Sequence, residues 1–124
     1  MSTLFLPLLH TILENCDHAC EDGFGDCNTI KIVDRNKNSE FLYQNTMIIQ
    51  DVCAILKSLA ESDYIKGPEP DHQNKDDQVY VYRKVYEGLE LYIKLKCKTI
   101  SDDLNDDREK IIIISFHEST PLEA

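Results

Sequence analysis

No apolar run in this chain approaches the roughly 20 residues needed to cross a bilayer, so the sequence predicts no transmembrane helix. The opening Met1-Ser2-Thr3-Leu4 lacks the basic stretch of a secretory signal, and no small-residue cleavage site follows. A cytoplasmic address is the expectation. Cations are scarce: 13 Lys and Arg stand against 23 Asp and Glu, a net charge of −10. Such a balance argues against broad, non-specific attraction to nucleic acid, because phosphates are repelled. Cysteine is present as an odd set (Cys16, Cys20, Cys27, Cys53, Cys97). In a reducing compartment these thiols act as small hydrophobes, and a disulfide framework is not expected. No helix carries a run of basic residues for a major groove, so direct DNA binding is not expected either.

What is present fits one domain spanning 1–124, with 42% apolar and 29% charged residues in the range of a globular protein. Residues 3–20 read as a helix, with Phe5, Leu8, Leu9, Ile12, Leu13 and Cys16 on one face at spacings of three and four. Thr29 to Val33 alternates as a strand or extended arm, and Asp34 to Ser39 reads as a polar turn. A second helix over 46–60 carries Ile48, Val52, Ile55, Leu56 and Leu59 as one stripe, with Thr46 as its expected N-cap. Gly67-Pro68-Glu69-Pro70 is expected to end regular structure.

The C-terminal half changes character. Val79–Tyr86 and Leu89–Thr99 read as two strands joined by a tight turn at Glu87-Gly88. An acidic loop, Ser101 to Lys110, leads to a third strand, Ile111–His117. Helices followed by a meander predict an α+β fold, with the N-terminal helices packed on one face of a small C-terminal antiparallel sheet.

Strand side chains alternate faces. Leu89, Leu91, Ile93, Leu95 and Cys97 therefore form a core face, and Tyr92, Lys94, Lys96 and Lys98 the opposite one, about 7 Å apart along the strand. Tyr80, Tyr82, Lys84 and Tyr86 alternate with valines in the preceding strand. If both polar sets share a face, cations interleave with rings, the combination that holds single-stranded nucleic acid. Any half-exposed sheet shows the same alternation, so the pattern alone does not decide function.

His117 adds a group that titrates near neutrality. RNA is cut without metal when a base takes the 2′-hydroxyl proton, the oxygen attacks phosphorus, and an acid protonates the departing 5′-oxygen. Cations stabilise the charge gathering on phosphate. Histidine, lysine and tyrosine are suitable parts.

Asp34-Arg35-Asn36-Lys37-Asn38, then Leu59-Ala60-Glu61-Ser62-Asp63-Tyr64-Ile65-Lys66-Gly67-Pro68-Glu69-Pro70-Asp71, then Leu91-Tyr92-Ile93-Lys94-Leu95-Lys96, then Ile114-Ser115-Phe116-His117 together resemble successive blocks of the MqsR-type toxins. The resemblance runs from about residue 30 to 119, and residues 1–29 match only as an initial helix. It implies a RelE-like α+β fold, cleavage of mRNA without a cofactor, and neutralisation by a cognate antitoxin protein. Carried over residue by residue, the family's site implies Lys66, Tyr92, Lys94 and His117 as catalytic. Its glutamine has no counterpart: Val81 falls near that position, and Gln78 is off register. His117 is then the expected general base or acid, and Tyr92 positions phosphate or donates a proton. Lys66 and Lys94 stabilise phosphorane charge. Tyr80, Tyr82, Lys84, Lys96 and Lys98 are the expected RNA-holding residues. The rival reading is an MqsR-like module that has lost cleavage and acts through a protein partner, favoured by the absent glutamine and the acidic balance.

Two metal patterns carry less. Cys16, His18, Cys20 and Cys27 offer four soft ligands, but Cys16 and His18 point to different helix faces and the spacing fits no common zinc module. Asp102-Asp103 and Asp106-Asp107 lack the glycine and terminal glutamate of an EF-hand loop. No metal is expected.

Overall fold

The computed structural model describes residues 5–14, 30–33, 35–72, 74–101 and 107–119. Helix α1 (Phe5–Glu14) is followed by strand β1 (Ile30–Ile32), helices α2 (Asn36–Gln44) and α3 (Ile49–Lys57), and a 3-10 turn (Glu61–Asp63). Strands β2 (Tyr64–Pro70), β3 (Gln78–Tyr86), β4 (Leu89–Ser101) and β5 (Asp107–Glu118) complete a five-stranded sheet of order β1-β5-β4-β3-β2. The class is mixed α+β, with helices preceding most of the sheet.

The sheet is not the purely antiparallel meander that the sequence suggested. β1 joins it as a parallel edge strand, Ile30 to Ile32 lying against Ile111 to Ile113. At the other edge, Gly67 to Pro70 continues as β2 instead of ending regular structure. The outer edge of a sheet tolerates proline because no neighbour needs its missing N–H. Gly67 has φ +126°, and a Cβ there would lie 2.7 Å from the Val79 carbonyl oxygen, so β2 lies this close to β3 only with glycine. β5 also begins earlier than expected, at Asp107, inside the stretch read as an acidic loop.

One face of the sheet is covered. Leu9 and Leu13 of α1, Phe41 and Leu42 of α2, and Val52, Ile55 and Leu56 of α3 pack with Tyr82, Leu91, Ile93, Leu95, Ile111, Ile113 and Phe116. In α1 the buried set includes Leu6 while Leu8 is exposed, a shift of the stripe from the predicted spacing. The segment read as a polar turn opens α2, because Asn38 is drawn inward beside Phe41 and Leu42. α3 begins at Ile49, and the Ile48 N–H donates to the Asp51 carboxylate at 3.0 Å. Asp51 thus satisfies the helix start, and Thr46 (φ 53°) precedes it in a left-handed turn instead of capping it.

Candidate active site

Directly opposed residues of neighbouring strands share a face. β4 keeps strict alternation: Leu91, Ile93 and Leu95 point to the helices, while Tyr92, Lys94, Lys96 and Lys98 point away. β5 does not. Lys94 opposes Ser115 and Leu95 opposes Ile113, leaving Ile114 as an extra residue in a β-bulge. Simple alternation would put His117 on the same side as Ile111 and Ile113. The bulge reverses the phase, so Phe116 enters the core and His117 comes opposite Tyr92.

Asn38 pins this irregularity. Its Nδ2 donates to the carbonyls of Val33 and Ile114, both at 3.0 Å, and its Oδ1 accepts from the Phe116 N–H at 2.9 Å. The side-chain amide thus stands where the next residues of β1 would have paired, satisfying the β5 edge after β1 ends. Arg35 reaches the same place: its Nη1 donates to the Ser115 hydroxyl at 3.2 Å and, more weakly, to the Ile114 carbonyl at 3.4 Å.

The Tyr92 and His117 rings stack at 5.7 Å between centroids, 20° from parallel. His117 is buried, and its Nδ1 lies 3.0 Å from the Glu118 carbonyl oxygen. A carbonyl only accepts, so the hydrogen bond requires the proton on Nδ1, which in the neutral ring leaves the lone pair on Nε2. Lys94 is the next residue on the same row, opposite Ser115. Lys66 lies on this face too, across Val81 from Lys94 and therefore about 10 Å away in strand spacings, with Glu69 at 3.7 Å.

Other predicted positions fall elsewhere. Tyr82 opposes Ile93, Tyr80 opposes Leu95 and Lys84 opposes Leu91, so the polar row of β3 faces the helices and is separated by the sheet from the row of β4. Tyr82 is fully buried, and Tyr80 stacks on Phe5 at 3.9 Å. Lys84 donates to the Ser58 carbonyl at 3.2 Å and sits 3.5 Å from Asp63, tying the 3-10 turn to the sheet. The residues of β3 that share a face with Lys94 are the valines Val79, Val81 and Val85, with Arg83, which pairs with Glu90 at 2.8 Å. Lys96 and Lys98 share the face of Lys94 but not its freedom. Lys96 is held between Asp71 at 2.5 Å and Asp77 at 2.7 Å, and Lys98 lies 3.2 Å from Asp77.

No family model, curated protein or solved structure gives a significant match to this chain. The site is therefore read from its own geometry. Lys31, Lys66, Arg83, Lys94, Lys96, Lys98 and Lys110 share the face away from the helices, more than half of the chain's 13 basic residues. Net charge concealed that concentration. Arg35 was legible only as part of a motif, since nothing in a chain of alternating strands announces a bulge at Ile114. Among the described residues no cluster of His, Cys, Asp and Glu is arranged to hold a metal, and Cys53 is buried and Cys97 half-buried. Cys16, His18, Cys20 and Cys27 lie outside the described residues. No described helix is long and apolar enough to cross a membrane.

Proposed function

We propose that the protein is an endoribonuclease of the MqsR toxin type, with a RelE-like fold, that cuts mRNA by 2′-hydroxyl attack and is restrained by a cognate antitoxin protein in the cytoplasm. The observation that carries this reading is the stacked Tyr92–His117 pair beside Lys94, a base, a hydroxyl donor and a cation on adjoining positions of two strands.

In the proposed reaction the Nε2 lone pair of His117 takes the 2′-hydroxyl proton. The 2′-oxygen bonds to phosphorus, and the P–O5′ bond breaks as the Tyr92 hydroxyl gives its proton to the departing oxygen. Products are a 2′,3′-cyclic phosphate and a 5′-hydroxyl. The proton on His117 returns to Tyr92 through solvent. Lys94 faces the charge that builds on the equatorial oxygens, and Lys66, at the sheet edge, lies within reach of a neighbouring phosphate. Tyr80, Tyr82 and Lys84 have no part in it, and Lys96 and Lys98 contribute to the local fold.

Incubating purified protein with a defined RNA in EDTA tests the reading. Cyclic-phosphate ends are expected from the wild type and not from His117→Ala; intact RNA under both conditions overturns it. A second reading, an MqsR-like module that acts through a protein partner without cutting, draws on the pairing of Lys96 and Lys98 with aspartates, which leaves fewer cations for RNA. It requires uncut RNA from the wild type together with a stable protein complex.

A further inference from the structure

We infer that Arg35 is the second phosphate-binding arm of this site, gripping the non-bridging oxygens of a phosphodiester opposite Lys94. The inference deepens the ribonuclease reading and rests on it for the reaction, though not for anion binding.

Arg35 stands in the step from β1 to α2, and its guanidinium reaches the β5 edge just past the end of β1, at Ile114 and Ser115. The anchor is Ser115, whose hydroxyl takes Nη1 at 3.2 Å and whose cross-strand partner is Lys94. Opposed residues in an antiparallel pair have Cβ atoms about 5 Å apart. The Arg35 guanidinium thus reaches the residue paired with Lys94, and Tyr92 and His117 form the next pair on the same row.

Arg35 is one of several basic residues with no carboxylate partner among the described residues. In a chain with 23 acidic residues, Lys66, Arg83, Lys84, Lys96 and Lys98 all have carboxylate partners. Arg35 and Lys94 have none among the described residues. Arg35 is positioned by a hydroxyl and a peptide carbonyl, neutral acceptors that engage Nη1 alone. Of its five N–H donors, those on Nη2 and Nε have no described protein acceptor, and a planar fork of that kind matches two phosphate oxygens. A guanidinium held by neutral acceptors, with a lysine on the paired position and no carboxylate on either among the described residues, is disposed to bind an anion.

Arg35→Gln removes the charge and the fork while keeping a side chain that can donate to Ser115. Expected is a roughly 100-fold fall in kcat/KM on RNA. Binding of a 2′-O-methyl RNA oligonucleotide, which cannot be cut, is expected to lose about 0.7 from its slope of log K against log salt, the value of one phosphate contact in a single strand. A purely structural role would not move that slope. Arg35→Lys is expected to keep the slope and lose about tenfold in rate, because an ammonium restores charge but not the fork. Should Arg35→Gln cut and bind with wild-type salt dependence, the assignment fails while the nuclease reading stands. A changed slope in a protein whose wild type never cuts RNA keeps the anion site and removes the reaction. No oligonucleotide binding by the wild type overturns both.

Discussion

The row of polar residues along β4 ends in two different ways. Toward Lys98, every charge is answered: Asp71 and Asp77 fold back over the sheet and hold Lys96 between them, with Lys98 sharing Asp77. Burial works against the charge of Lys96, but its hydrogen bonds to the Asp71 and Asp77 carboxylates outweigh it and raise its pKa. The hydrogen bond from Lys96 likewise holds Asp77 below the usual carboxylate range, against a smaller opposing effect of burial. Toward Tyr92 the one acid of the row, Glu90, is taken by Arg83 at 2.8 Å, no described acid reaches Lys94, and Lys94, Arg35 and the Tyr92–His117 stack stand around Ser115. One period-two pattern therefore ends in a structural ion cluster on one side and, in the function proposed, an anion site on the other. What separates them is where a loop returns and where β5 carries its extra residue.

The sharpest way to break this contrast is to remove groups at each end and read two quantities, cleavage rate and unfolding free energy. His117→Ala carries the largest expected effect, a loss of about 100- to 1000-fold in cleavage, typical for a group that transfers protons in the transition state. A full-rate His117→Ala protein removes the residue from the chemistry.

Asp71→Asn comes next, on stability. The Lys96 side chain is 9% exposed and that of Asp71 8%, so the substitution leaves a buried ammonium with one carboxylate instead of two. Breaking such a pair costs on the order of 3 kcal/mol, which urea denaturation would show as a lower midpoint with an unchanged slope. Cleavage per folded molecule should stay at the wild-type level. Lys94→Ala should do the converse: about a 30-fold loss of cleavage, as for removal of a charge that stabilises the transition state, with unfolding free energy within about 0.5 kcal/mol. If both variants lose both properties, the two ends are one functional unit and the contrast is void.

Acid should act on the Lys98 end. Asp77 has its pKa lowered below the ordinary 3.8, so its contribution is present above that value and disappears as pH falls through the folded-state value. Lys96 has its pKa raised above 10.5, so its contribution is intact below that value and is lost as pH rises through the folded-state value. The cluster therefore supports the fold across the neutral range and releases it at both extremes. A melting-temperature series should fall on the acid side of about pH 4, and Asp77→Asn should flatten that limb. An unaltered limb in the variant would show that other carboxylates govern acid unfolding.

These residues also show how far sequence reasoning reaches. The helix carrying Val52, Ile55 and Leu56, and the leucine side of β4, were legible because apolar spacing and burial are the same fact seen twice. Tyr92, Lys94 and Lys96 were correctly placed on one side for the same reason. The partner rows were not legible. Tyr80 and Tyr82 pair in register with Leu95 and Ile93, and aromatic rings serve a core as well as they serve RNA, so their composition left the face open. His117 reached the Tyr92 side only through the Ile114 bulge, whose cause is a buried amide 76 residues earlier, at Asn38. Long-range hydrogen bonds of that kind leave no periodic trace. The same holds for Asp71 and Asp77, which meet Lys96 from 25 and 19 residues away in the chain.

Lys98 gives the smallest effect and the finest discrimination. Its side chain is 41% exposed, and it reaches Asp77 at 3.2 Å from the solvent side of a cluster in which Lys96 already holds that carboxylate. Exposed pairs of this sort contribute about 0–1 kcal/mol and are screened by salt. Lys98→Ala should therefore shift unfolding by less than about 0.5 kcal/mol at physiological salt, and that shift should vanish in 1 M salt. Cleavage should be unchanged, because the cation is already committed to Asp77 and stands four residues along the strand from Lys94. A clear loss of RNA binding in Lys98→Ala, with its salt slope reduced by a full contact, would mean that the loop carrying Asp77 yields to RNA. The lysine row would then act as one continuous track instead of two separate ends.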